Sequence, residues 1–113
     1  MVNRCAVVVT PKQPFLTWLH RIDPSSHDIK MDDLRRDPSV YLFPECTDDG
    51  ALTKLLKKGC LRIFEQELES WDRNEESWPK DRSFAAFQQW FDHSIHRMVF
   101  DITHQQLELE EIE

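Results

Sequence analysis

The chain has 113 residues with 14 Lys and Arg against 21 Asp and Glu, a formal charge of −7, and that length accommodates one core without need of a structural metal or disulfides. The acid excess lies mostly in residues 105–113, QQLELEEIE, and without its four Glu the remaining 17 acids face 14 bases. No dense basic stripe suits a phosphate backbone, which disfavours nucleic-acid binding, and no apolar run approaches the roughly 20 residues of a membrane span.

Residues 5–9, CAVVV, form a continuous apolar, β-branched run with no alternation, which predicts a central strand buried on both faces. Thr10 and Pro11 end it. Pro14 then suits a first helical turn, and Phe15, Trp18, Leu19 and Ile22 share one helix face up to Asp23 and Pro24. The polar stretch that follows reads as a loop with a short helical turn around Asp32 to Arg36. SVYLF, Ser39 to Phe43, is the second strand. An interval of about 29 residues containing a helix predicts a right-handed parallel crossover between these two strands.

A helical period then carries Leu52, Leu55, Leu56, Ile63, Phe64, Leu68 and Trp71. Gly59, after Lys57 and Lys58, is placed like a C-terminal cap, so either a bend or two short helices are expected. DRNEESWPKDR reads as a polar connection. Ser83 caps a last helix with Phe84, Phe87, Trp90, Phe91 and Ile95 on one side. From His96 the period becomes two, with His96, Met98, Phe100 and Ile102 on one face, predicting a half-buried edge strand.

The expected fold is therefore a single small α+β domain over residues 1–104. It has a three-stranded mixed sheet, element order β-α-β-α-α-β, with the first strand central and helices mainly on one face. Residues 105–113 form an acidic tail expected to be mobile. The uncovered sheet face would be screened by loops and the tail or by a second copy, which predicts a homodimer. The three cysteines, Cys5, Cys46 and Cys60, are odd in number and lack a C-x-x-C pair. They suit a reducing compartment, and a chain start that breaks after about five apolar positions argues against a signal peptide, so a cytoplasmic protein is expected.

Motifs that carry chemistry are sparse. With only Gly50 and Gly59 in the chain, glycine-dependent phosphate and dinucleotide loops are excluded and no cofactor is expected. The corner VVVTPKQPFLTW, where two prolines remove backbone donors, reads as a rigid joint and not a phosphate cradle. Asp92, His93 and His96 offer carboxylate and imidazole within one short stretch, a candidate metal or acid–base set, although the spacing matches no closed zinc site. His104 lies too far along an extended strand to join His96. Cys46 sits between strand and helix, but Glu45, Asp48 and Asp49 would repel a thiolate.

Aromatic residues are the richer signal. Trp71, Phe84, Phe87 and Phe91 are read as core, whereas Trp78, in a polar loop beside Pro79, either lids the core or presents a contact surface, with Trp90 as a second anchor. The combination of WPKDRSF with WF and VFD resembles small bacterial proteins of about this length that carry no assigned activity, and the resemblance brings no catalytic motif. The expected function is a non-catalytic protein-interaction module using Trp78 and Trp90, its acids steering basic partners. The competing reading is a small metal-dependent or acid–base enzyme using Asp92, His93 and His96. A third, an acidic nucleic-acid mimic, rests on charge alone.

Overall fold

The apolar run around Val7 forms the middle strand, β1 (Arg4–Pro11), between β2 (Ser39–Pro44) and β3 (Phe91–His96) in the computed structural model, which describes residues 1–45, 48–103 and 105–109. Four helices complete an α+β domain: α1 (Gln13–Ile22), α2 (Met31–Arg35), α3 (Asp49–Glu69) and α4 (Phe84–Trp90). Cys46, His104 and residues 110–113 lie outside the described residues, as does the last part of the tail expected to be mobile.

Both strand pairs are antiparallel, which corrects the parallel crossover and the mixed sheet. Val9 lies opposite Ser39 and Arg4 opposite Pro44, so β2 starts beside the end of β1. The physical reason is a second traverse. After α1, the segment 24–38 adds a 3-10 turn (Pro24–Ser26) and α2, and Arg35 Nη2 reaches Thr10 Oγ1 at 3.3 Å. The chain is thereby returned to the same end of the sheet before β2 begins. An interval read as one crossover holds two passes.

Strand alternation sorts the side chains of the sheet. Val7, Val9, Tyr41, Phe43, Phe91 and Ile95 belong to or pack against the core, with α1, α3 and α4 supplying Phe15, Trp18, Leu56, Phe64 and Phe87. Full burial of such a side chain, as at Val7, Phe15, Phe64 and Phe87, contributes about 1.5–3 kcal/mol. The opposite face carries Val8 between Val40 and Ser94, and Thr10 beside Asp92.

α3 runs as one helix through Gly59, which keeps a negative φ and is not a C-terminal cap, so the alternative of two short helices is not realised. The glycine serves packing: a Cβ there would lie 3.0 Å from two carbons of the Phe43 ring. Asp48 caps the helix start by accepting from Gly50 N at 2.9 Å.

α4 ends at Trp90, earlier than its apolar spacing predicts, and the third strand begins at Phe91, five residues before the expected start. Lys12 explains the stop. Its backbone N–H donates to Trp90 O at 2.8 Å and its Nζ to Gln88 O at 2.8 Å, satisfying carbonyls that end a helix. The proline corner is a joint that also terminates a neighbouring helix. Residues 97–103, where a strand was expected, form no strand, although Val2 N–H still donates to Val99 O at 2.8 Å.

Candidate functional site

Of the two tryptophans expected to present a contact surface, Trp78 is built into the core and Trp90 packs against it. Trp78 is only 7% exposed and donates its indole N–H to Asp72 O at 2.7 Å. The loop that carries it is organised by its own polar groups. Asp72 accepts from Asn74 N at 2.9 Å and from Ser77 Oγ at 2.8 Å, and these bonds hold its carboxyl below the usual range. Ser77 O accepts the Trp18 indole N–H at 2.8 Å, so the loop closes over the core through two indoles. Trp90 is half-buried, its ring centroid 5.4 Å from Phe64 and 6.2 Å from Phe15. Trp78 is not available as a surface anchor, since a polar sequence context does not expose an indole whose N–H finds a backbone carbonyl, and Trp90 keeps only part of its ring outside the core.

The Asp92, His93 and His96 set is also taken apart. On β3 alternate residues face opposite sides, so His93, with its ring 5.9 Å from Phe87, leans to the core side while Asp92 and His96 face outward. Four residue steps along the strand carry Asp92 to His96, about 13 Å at roughly 3.3 Å per residue. Asp92 is held by Arg35 at 2.9 Å and Lys12 at 3.5 Å, and His96 Nε2 bonds Ser94 Oγ at 2.9 Å. Among the described residues no group of three or more His, Cys, Asp or Glu is placed to hold a metal ion. The H-x-x-H spacing aligns two rings on a helix and separates them on a strand. The Cys46 candidate lies outside the described residues; Cys60 is buried, and burial pushes its thiol pKa up.

Two surfaces remain. The first is the outward face of the sheet at its β2 edge. Val40 and Leu42 stand 58% and 51% exposed there, next to Val8 and Ala6 in register. A broad groove of about 1000 Å³ continues from Leu42 past Val2 and Arg4 to Phe100, Ile102 and Leu107, whose side chains are exposed. β2 itself, SVYLFP, carries no charge, whereas β3 at the other edge presents Asp92 and two histidines.

The second surface is a cleft of about 430 Å³ on the helical side, where α2, the start of β2 and the end of α3 meet. Val9 and Phe15 floor it, Ile29 and Leu34 wall it, and Asp33, Asp37, Glu67 and Trp71 stand around it. Glu67 is fixed by two hydroxyls, accepting from Tyr41 at 2.6 Å and Ser39 at 2.8 Å, both on Oε2. Burial, with the Glu67 carboxylate alongside, holds the Tyr41 phenol far above its ordinary pKa. Trp71, read from its helical spacing as core, is 46% exposed because α3 ends at Glu69, two residues before it. That end, at Ser70, is the signal that sets Trp71 apart from the helix face it continues.

No protein-family model, no curated protein and no solved structure matches this chain. The fold and its two surfaces therefore carry the functional argument. Among the described residues no helix is long and apolar enough to cross a membrane.

Proposed function

We propose that the protein is a homodimeric, non-catalytic protein-interaction module of the cytoplasm, two copies meeting at the β2 edge and the outward sheet face beside it. The observation that carries the reading is the exposed pair Val40 and Leu42 on an uncharged edge strand. Edge strands present unpaired N–H and C=O groups and are ordinarily blunted by charge, and β2 has none. A second copy fits better than an unrelated strand because, of the two edges, only β2 is free of charged residues, so the complementary surface each chain offers is the same strand of another copy. Antiparallel pairing of β2 with itself is isologous, so association closes at two.

Charge agrees with that occupant. Two chains of formal charge −7 repel, and contact is least costly where neither carries a charged side chain. Strand pairing alone buries less than the roughly 1,200–2,000 Å² of a stable interface. The exposed apolar residues Phe100, Ile102 and Leu107, continuous with Leu42 along the groove, supply further area. The cytoplasmic placement rests on the cysteine pattern, and no nucleic acid or membrane enters the reading.

Sedimentation velocity on the full chain tests it. The wild type is expected at twice the chain mass at tens of micromolar, and Leu42→Glu, which puts a charge into the neutral edge, at the chain mass with an unchanged circular dichroism spectrum. A monomeric wild type, or a dimer indifferent to both Leu42→Glu and Val40→Lys, sinks the proposal.

A further inference from the structure

We infer that the cleft between α2, β2 and the end of α3 binds an arginine side chain of a partner protein. The inference supplies a partner chemistry for the interaction reading, and it uses the helical side of the molecule, which shares only Ser39, the start of β2, with the proposed dimer edge.

The lining decides the chemistry. Asp33, Asp37 and Glu67 line the cleft and no Lys, Arg or His does, so its occupant is cationic. The carboxylates differ in what they have left to offer. Asp33 is engaged, accepting from Lys30 N at 2.9 Å and pairing with Arg36 at 3.3 Å. Glu67 spends only Oε2 on its two hydroxyl donors, leaving Oε1 without a protein hydrogen bond among the described residues. Asp37 has neither hydrogen bond nor ion pair among them.

A small metal ion does not fit, because these carboxylates form no group able to hold one. The cation must instead spread its charge and bridge separated acceptors, which a guanidinium with five donors does and a point charge does not. The rest of the lining matches the stem of the same side chain. Phe15, Ile29 and Leu34 give an apolar channel for three methylenes, and the half-exposed Trp71 indole offers a face for cation–π stacking. A cleft of about 430 Å³ takes one such side chain, with the backbone of its segment outside. Free arginine is disfavoured, since its own carboxylate would face three acids, whereas in a peptide that carboxylate is an amide.

The test titrates the full chain, followed by ¹⁵N–¹H NMR, with a blocked seven-residue peptide carrying one arginine in an alanine and glycine background. The same peptide with citrulline and free arginine run beside it. The arginine peptide is expected to shift the Trp71 indole and the Ser39 and Ser70 amides, with binding that weakens as salt rises. Asp37→Asn, at an exposed position, and Trp71→Ala should each weaken it by roughly two- to five-fold. Equal shifts from citrulline, shifts confined to other residues, or no shift at millimolar peptide would overturn the assignment; binding of free arginine as strong as the peptide's would overturn the protein partner. The Leu42→Glu chain should bind the peptide as the wild type does, so that failure of the dimer and failure of the cleft remain distinguishable.

Discussion

Tyr41 donates its phenolic hydrogen to Glu67 at 2.6 Å, and through that one bond an edge strand is tied to the last turn of the longest helix. The tyrosine is the only one in the chain. Burial and the neighbouring carboxylate raise its pKa, so the native state keeps a proton that the unfolded chain releases near pH 10. The linkage sign follows: this contribution is fully present below about pH 10 and declines as pH rises beyond it. Phenolate absorbance near 295 nm should therefore stay silent past its ordinary midpoint and rise together with loss of circular dichroism. A titration near pH 10 with the fold intact would refute the buried bond.

Gly59 and Phe43 should be energetically coupled. An exposed helix position gains about 1 kcal/mol from Gly to Ala, but here the new Cβ meets the Phe43 ring at 3.0 Å. Gly59→Ala is expected to be neutral to destabilising by about 1–2 kcal/mol, as overpacking costs of this order are usual. In a Phe43→Leu background the same change should be more favourable by about 0.5 kcal/mol or more, a double-mutant coupling read by urea unfolding. A stabilising Gly59→Ala in the wild type would show that the ring has room.

Trp78 is predicted to act through stability. Trp78→Ala should cost about 3–5 kcal/mol, the range for emptying a large aromatic site, and Trp78→Phe about 0.5–1.5 kcal/mol for the lost bond to Asp72 O. Chemical denaturation measures both. If Trp78→Ala unfolds at the wild-type midpoint, the side chain is not the lid the geometry makes it.

Asp72 gives that same loop an acid sensitivity. Its carboxyl is lowered first by the Asn74 backbone N–H and then by the Ser77 hydroxyl. Its stabilisation is present above the unfolded carboxylate value near 4 and lost as pH falls through the lowered native value. Asp72→Asn should flatten the wild-type decline in thermal midpoint below pH 4, with little change at pH 7 beyond a constant offset. An unchanged acid slope would assign that decline to other carboxylates.

Much of the sheet is legible from local pattern: the uninterrupted apolar run of β1 marks a strand with neighbours on both sides, and SVYLF between two prolines marks β2. Strand direction is not, because it depends on how often segment 24–38 crosses the molecule, and only tertiary contacts such as Arg35 with Thr10 reveal the second pass. The end of α4 is obscured for a similar reason. Phe84, Phe87, Trp90, Phe91 and Ile95 satisfy a helical period, and Phe91, His93 and Ile95 equally satisfy a strand; the open edge of β1 and the Lys12 cap decide between them. The alternation continues past the end of β3 through residues 97–102, yet no strand forms there, since alternation specifies faces and supplies no partner. The candidate site suffers most from this nonlocality. Trp78 looks exposed and Trp71 looks buried until a helix terminus and a backbone carbonyl reverse them.

That reversal leaves the molecule with an optical asymmetry. Trp18 and Trp78 are buried and Trp90 packs against the core, so Trp71 alone among the four indoles is substantially wetted, and it stands at the mouth of the cleft. Emission on the long-wavelength side and quenchers not repelled by the surrounding carboxylates, such as acrylamide or caesium, select such an indole over its buried companions. The protein thus carries an intrinsic reporter of occupancy at that one place, readable in dilute solution without a dye, a label or a substitution.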